Sequence, residues 1–203
     1  MAHSTPGTTR RILGRAKRMI EFWQPNPSRS FNRMPSSPYV LALRDKIGHE
    51  LLMLQSVSVM LFDEGRLMLA QHRDTGLWVT VGGAIEPDET PADAVVRECW
   101  EETGMLVEPI QLLGVFGGPE FRIHYPNNDV ASYTVAVFEA RRIEGKARPD
   151  GVEVTALRFV SRDEAAALPM SVGTRVMVAR AFEPGPKPFF APATWQPSRS
   201  DRS

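Results

Sequence analysis

Three glutamates are spaced so that a helix would bring their carboxylates together. Glu98, Glu101 and Glu102 stand three and four residues apart, and residues at this spacing are neighbours on one side of an α-helix. A hard dication such as Mg²⁺ would offset their mutual repulsion, because it takes oxygen ligands and binds carboxylates together with substrate phosphates. The spacing alone also fits a solvated helical face, which is the usual meaning of such a charge run.

A helix over residues Pro91–Thr103 is predicted to carry these carboxylates. Thr90 suits the N-cap, proline is favoured at the first helical position, and Gly104 suits a left-handed end. We expect an apolar face opposite the glutamates, formed by Ala92, Val95, Val96 and Cys99 with Trp100 at its edge.

The segment Gly83–Met105 resembles the Nudix box throughout. That motif is a glycine, five residues, a glutamate, seven residues, Arg-Glu, an aliphatic residue, any residue, Glu-Glu, any residue, a glycine and an aliphatic residue. Every fixed position is matched, and the small thiol of Cys99 stands at an aliphatic position. The resemblance implies the Nudix fold, a mixed β-sheet between helices, and Mg²⁺-dependent cleavage of a phosphoanhydride.

The resemblance extends beyond the box, from about Leu41 to Pro169. Asn128 stands where glycine is more common, and asparagine also tolerates a positive φ. Val81 replaces the proline that usually precedes the paired glycines. The matching positions outside the box are Arg73, Trp78, Gly82, Tyr125, Asp129, Val137, Phe138, Glu153, Leu157 and Phe159.

The resemblance implies a metal site and a catalytic base. Glu98, Glu101 and Glu102 are expected to ligate Mg²⁺, with Mn²⁺ as an alternative cation, and the backbone carbonyl of Gly82 is expected to add a ligand. Either Glu98 or Glu153 is expected to activate the attacking water, and the sequence leaves that choice open.

Four further residues of the box are expected to shape the site. Arg97 and Glu89 should form the ion pair that holds the loop against the helix. Gly83 and Gly104 should occupy backbone positions at which a Cβ atom is unfavourable.

The substrate is predicted to be a small-molecule nucleotide. Arg73, Phe116, Phe121 and Tyr125 are the candidate substrate-binding residues, although aromatic residues on strands more often belong to the core. Pro119 lies close to the spacing at which ADP-ribose-cleaving relatives carry a proline, which favours a nucleoside diphosphate linked to another moiety. The alternatives are a nucleoside triphosphate, including an oxidised one, and a non-catalytic module that senses a nucleotide.

The strands predicted from alternation and turn signals outnumber the helices. The class is therefore predicted to be α+β, with an α/β/α sandwich. We expect helices at Arg162–Ala167 and Val172–Phe182 besides the one that carries the box. The predicted strands are Gln55–Phe62, Arg66–His72, Trp78–Val81, Ile110–Phe116, Phe121–Tyr125, Ser132–Arg141 and Val154–Val160.

Charge divides the chain into a basic head and an acidic body. Residues 1–38 are predicted to be a basic N-terminal extension and linker, 39–183 the Nudix domain, and 184–203 a Pro-rich tail. A short basic amphipathic helix is predicted in the extension; docking on protein or an adventitious extension is favoured over binding to an anionic membrane. The acidic body disfavours nucleic acid as a partner. A single cysteine favours the cytoplasm, and a homodimer is left open.

Overall fold

A mixed β-sheet with helices on both faces organises the fold. The computed structural model describes residues 37–125 and 127–194, so the predicted basic helix lies outside the described residues. The strands are β1 (Leu51–Asp63), β2 (Arg66–His72), β3 (Trp78–Val79), β4 (Leu106–Phe116), β5 (Arg122–His124), β6 (Val130–Glu144) and β7 (Val154–Val160). The helices are α1 (Pro38–Ile47), α2 (Pro91–Thr103), α3 (Arg162–Ala167) and α4 (Val172–Phe182), with a 3₁₀ turn at Pro119–Phe121.

Five of the seven strands follow the order β3-β2-β1-β6-β4. The other two lie off this path, where β5 pairs with β6 and β7 pairs with β2. β1 runs parallel to β6 over residues 51–61, and the remaining strand pairs are antiparallel. β1 and β2 form a hairpin, in which Asp63 pairs with Arg66 across the turn.

Two apolar clusters lie on opposite faces of this sheet, because successive strand residues point to opposite sides. Neighbouring residues of β1 and of β2 divide between the clusters accordingly. The first cluster contains Val57, Val59, Met68 and Ala70 together with Ala94, Val95 and Cys99 of α2. The second contains Met60, Leu67 and Leu69 together with Met177, Val178 and Ala181 of α4. The predicted α+β sandwich is confirmed.

Helix α1 was not predicted. Ser37 caps it by accepting the N–H of Val40 at 3.1 Å, and Pro38 occupies its first position. The prediction assigned this Ser-Pro pair to the linker, although the same pair is also a favourable helix start. The predicted boundary after residue 38 therefore falls within the first turn of α1.

Several strand boundaries differ from the prediction. β1, β4 and β6 are longer than predicted, whereas β3 ends at Val79 and continues only as isolated bridges to β1. The predicted strand Phe121–Tyr125 begins instead with the 3₁₀ turn. Pro109 lies within β4 beside a register shift in the pairing with β6. Proline is tolerated in a strand at such an irregularity, because its missing N–H interrupts the hydrogen bonding less there.

The C-terminal segment continues to pack beyond residue 183. Phe189 donates its N–H to Leu113 O at 2.7 Å and accepts the N–H of Val115 at 3.0 Å, so it pairs with the edge of β4. Within the parts of the chain that the structure describes, no helix is long and apolar enough to cross a membrane.

Candidate active site

Helix α2 begins and ends as predicted. The Thr90 side chain accepts the N–H of Asp93 at 3.2 Å, and Gly104 has a left-handed φ of 67° while donating its N–H to Trp100 O at 2.9 Å. Pro91 occupies the first turn. These local interactions satisfy backbone groups that a helix leaves unpaired at its ends.

The buried face of α2 is rotated relative to the prediction. Ala92 is exposed, whereas Ala94 is fully buried. Glu102 is only 7% exposed, so it borders the apolar face instead of lying opposite it. The side chain of Glu98 is 12% exposed and that of Glu101 is 32% exposed. The glutamates therefore face the protein, and only Glu101 is substantially open to solvent.

The paired glycines that precede the box bring the backbone against these glutamates. Gly82 has a φ of 143°, and a Cβ atom there would collide with the carbonyl of Val57. A Cβ atom on Gly83 would lie 2.5 Å from Glu98 Oε1. The N–H of Gly82 points to Glu102 Oε2 at 3.4 Å. Gly82 is thus required by close packing against β1, whereas a side chain on Gly83 would push the carboxylate of Glu98 out of its position.

Arg97 joins the loop to the helix through five hydrogen bonds. Its Nε and Nη2 donate to the two oxygens of Glu89 at 2.8 and 2.9 Å, and Nη2 also donates to Ala84 O at 2.9 Å. Nη1 donates to Glu98 at 2.7 Å and to Glu101 at 3.1 Å. These bonds match the five N–H donors of a guanidinium. Burial lowers the pKa of Arg97, but hydrogen bonds to Glu89 and Glu98 and their negative charges outweigh this effect. The pKa of Arg97 therefore lies above its ordinary value.

The two buried glutamates have raised pKa values in the absence of a cation. Burial raises the pKa of Glu98 to about 7, against the opposing effect of Arg97. Burial, followed by the charges of Glu98 and Glu153, raises the pKa of Glu102 well above its ordinary value. Burial and mutual repulsion disfavour the ionised forms of these two carboxylates. Their oxygens form the kind of donor set that Mg²⁺ prefers.

The residues therefore fit a divalent cation, but they do not form a preassembled cage. Among the described residues, no group of three acidic, histidine or cysteine side chains is arranged to hold a metal ion. Arg97 explains part of this arrangement, because it binds the carboxylates of Glu98 and Glu101 while Glu102 lies beside Gly82. A cation at this place would compete with Arg97 for these two carboxylates.

Glu153 lies near this cluster, in the loop before β7. Its charge acts on Glu102, and its backbone carbonyl accepts the N–H of Arg73 at 2.8 Å. The guanidinium of Arg73 donates to Gly151 O in the same loop. Glu153 thus contributes to the raised pKa of Glu102, and Arg73, a predicted substrate residue, lies against the loop that carries Glu153.

The predicted aromatic substrate residues lie elsewhere. Phe116 and Phe121 are 6% and 8% exposed in the cluster that packs against α4, on the face of the sheet opposite α2. Their ring centroids are 6.2 Å apart. This position favours a packing role in the core, and a part for these two rings in substrate binding stays a prediction. Tyr125 bonds through its hydroxyl to that of Tyr133 at 2.6 Å, and burial raises the pKa of both phenols.

Sequence reasoning missed two features beside the site. Asp150 accepts hydrogen bonds from three consecutive backbone N–H groups, a pattern typical of an acidic residue at the start of a turn. A cleft of about 490 Å³ also opens beside α2, lined by Trp100, Glu101, Gly104, Arg148, Pro149 and Asp150. The Asp150-Gly151 pair was a readable turn signal, whereas the cleft depends on contacts between distant segments.

Comparisons with known proteins find chains that are similar to this one. The family model described as NUDIX domain matches residues 53–181. A MutT-like protein of Streptomyces ambofaciens is 36% identical over 114 residues, which cover 55% of this chain and 67% of that protein. A putative 8-oxo-dGTP diphosphatase of Bacillus subtilis is 29% identical over 103 residues, which cover 51% of this chain and 62% of that protein.

A solved structure shares the fold. The MutT NUDIX hydrolase from Burkholderia pseudomallei aligns with a TM-score of 0.54 and 23% identity, covering 64% of this chain and 98% of the other. The match to the curated relatives thus extends over about two thirds of their length, and the match to the solved structure over nearly its whole length.

Proposed function

The chain belongs to the Nudix family and is a pyrophosphohydrolase, and we propose that it uses Mg²⁺ to cleave a phosphoanhydride in a small-molecule nucleotide. One observation carries the proposal: Arg97 ties the Glu89 loop to the helix that presents Glu98 and Glu101, with Glu102 buried beside the paired glycines. Arg97 thereby connects the glutamates of the helix to the loop that carries Glu89.

Glu98, Glu101 and Glu102 would hold the cation, and the carbonyl of Gly82 would add an oxygen ligand. A bound Mg²⁺ supplies neutralisation of phosphate charge at the bond that breaks. Arg97 and Glu89 keep the carboxylates in register, which makes them positioning residues. We assign the activation of water to Glu153, because the Glu98 carboxylate is engaged by Arg97 and packed against Gly83.

We propose a nucleoside triphosphate, including an oxidised one, as the first substrate class to test. The names of the MutT-like protein and of the putative 8-oxo-dGTP diphosphatase favour it. A nucleoside diphosphate linked to another moiety, such as ADP-ribose, is the second candidate. It rests on Pro119, which begins the 3₁₀ turn. We further propose that the enzyme acts in the cytoplasm without nucleic acid as a partner.

A substrate panel tests these proposals. Nucleoside triphosphates, 8-oxo-dGTP, ADP-ribose and dinucleoside polyphosphates are incubated with Mg²⁺ or with EDTA, and the products are identified by mass spectrometry. We expect hydrolysis only with the cation. Micromolar binding of one nucleotide without hydrolysis of any would instead indicate a sensing module.

Two conservative variants test the metal assignment. Glu101→Gln and Glu102→Gln each remove a ligand charge with little change in shape, and we expect turnover to fall by about a hundredfold or more, because the metal supplies several kcal/mol of transition-state stabilisation. Glu120→Gln, on an exposed glutamate outside the site, is the matched control. Full activity in both site variants would overturn the assignment.

A further inference from the structure

The loop that carries Glu153 is organised around one carboxylate. Asp150 Oδ1 accepts the backbone N–H groups of Val152, Glu153 and Val154 at 3.0, 3.2 and 2.9 Å. Its Oδ2 accepts the N–H of Glu153 as well, at 3.2 Å. Hydrogen bonds to an ionised acceptor are stronger than neutral ones. Three consecutive amides directed at one carboxylate leave this turn little conformational freedom.

Both sides of the same loop are attached to the rest of the domain. The N–H of Asp150 donates to Glu102 O at 3.1 Å, and the N–H of Arg148 donates to Thr103 O at 2.9 Å. These two bonds tie the loop to the end of α2, the helix that carries the glutamates. On the other side, Arg73 bonds to the carbonyls of Gly151 and Glu153. Hydrogen bonds therefore hold the loop against both α2 and the end of β2.

This registration has a consequence for the Glu153 side chain. Its backbone N–H donates to Asp150 and its backbone carbonyl accepts the N–H of Arg73. The position of its Cα atom is therefore restrained by hydrogen bonds on both sides. The carboxylate of Glu153 is close enough to influence that of buried Glu102. Without the Asp150 carboxylate, three N–H groups of the turn that sets this position would lose their hydrogen-bond acceptor.

We propose that Asp150 is a positioning residue for catalysis, holding Glu153 where it takes a proton from the attacking water. This proposal rests on the proposed function. In that step the water oxygen bonds to phosphorus, the bridging P–O bond breaks toward the leaving phosphate, and the water proton passes to the carboxylate of Glu153. In this role Asp150 acts through the loop backbone, whose N–H groups its carboxylate accepts.

A double-mutant cycle separates this role from general support of the fold. Wild type, Asp150→Ala, Glu153→Gln and the double variant are compared by kcat, with saturating Mg²⁺ and the best substrate of the panel. We expect Asp150→Ala to lower kcat by about 10- to 100-fold, since misplacement of a catalytic group by about 1 Å has an effect of this size. In the Glu153→Gln background, the same change should lower kcat less than twofold.

Two further variants sharpen the test. Asp150→Asn keeps an oxygen that can accept the three N–H groups and should restore most of kcat. Asp45→Ala, on an exposed aspartate of α1, should leave kcat unchanged. Amide hydrogen exchange of residues 152–154 reports the loop directly and does not require activity; we expect it to speed up in Asp150→Ala.

The outcomes that contradict the proposal are distinct from failure of the proposed function. An equal loss of kcat in both backgrounds would show that Asp150 acts through the fold or the metal site. Unchanged kcat in Glu153→Gln, or unchanged exchange of residues 152–154 in Asp150→Ala, would also overturn the role. Absence of hydrolysis by the wild type would refute the proposed function itself, whatever the exchange shows.

Discussion

Replacement of Arg97 by lysine should destabilise the protein although the charge is kept. The guanidinium makes five hydrogen bonds, four of them to the carboxylates of Glu89, Glu98 and Glu101. An ammonium group has only three donors at one point and cannot reproduce the bidentate contact with Glu89. At least two bonds to partly buried acceptors are therefore lost.

The magnitude follows from the number and burial of these bonds. A hydrogen bond to a charged group contributes about 1.5–3 kcal/mol. The Arg97 side chain is 21% exposed and that of Glu89 is 12% exposed, so solvent screens the interaction only in part. We expect Arg97→Lys to lower the free energy of unfolding by about 2–4 kcal/mol, and Arg97→Ala by about 3–5 kcal/mol, because the alanine leaves buried carboxylates unpaired.

Urea denaturation in EDTA measures this loss without a contribution from bound cation. Arg158→Lys is the matched control, because Arg158 pairs with Glu164 where the two side chains are 47% and 34% exposed. Exposed pairs contribute at most about 1 kcal/mol. A change below about 0.5 kcal/mol in Arg97→Lys, no larger than a typical surface substitution, would refute the view that Arg97 organises the box.

Three other predictions follow from the same geometry. Gly83→Ala would place a Cβ atom 2.5 Å from Glu98 Oε1, so steady-state assays should show kcat reduced by about tenfold or more, since displaced ligands misalign the reaction; Gly117→Ala, where a Cβ atom would make only ordinary contacts, is the control. In EDTA, the folded protein retains a proton on Glu98 between pH 4.5 and about 7, so the free energy of unfolding should fall as pH rises through this window, with about 1–3 kcal/mol of the fall due to Glu98; Glu98→Gln should reduce the slope measured by denaturation at each pH and leave the contribution of Glu102, whose pKa is also raised. Phe116→Ala should lower the free energy of unfolding by about 3–5 kcal/mol and leave KM unchanged. A raised KM in the folded variant would indicate that Phe116 contacts the substrate.

The parts of the fold that local chemistry determines were predictable from the sequence. Helix α2 follows from Thr90, Pro91 and Gly104, which act within one turn of its ends. Strand β7 and helices α3 and α4 also have the predicted boundaries. The matched motif predicted the contact between Arg97 and Glu89, because both residues lie in the same short segment.

The parts that depend on distant segments were not predictable in this way. The rotation of α2 toward Ala94 is set by its packing on β1 and by the glycine loop, so the helical pattern alone placed Ala92 on the wrong face. The burial of Phe116 depends on α4, a helix about sixty residues later in the chain. Alternation along a strand shows that two faces exist but does not show which face a later helix will cover.

The two buried glutamates of the site have different counter-charges, and this difference indicates where a cation is needed most. Arg97 Nη1 lies 2.7 Å from Glu98, so that carboxylate has a permanent partner. The hydrogen bond from the N–H of Gly82 to Glu102 is a long one, at 3.4 Å. Glu102 is also the more deeply buried of the two and faces the charges of Glu98 and Glu153. A buried carboxylate with neither cation nor proton is strongly unfavourable, so Glu102 must bind one of them, and a divalent cation near Glu102 would displace its proton.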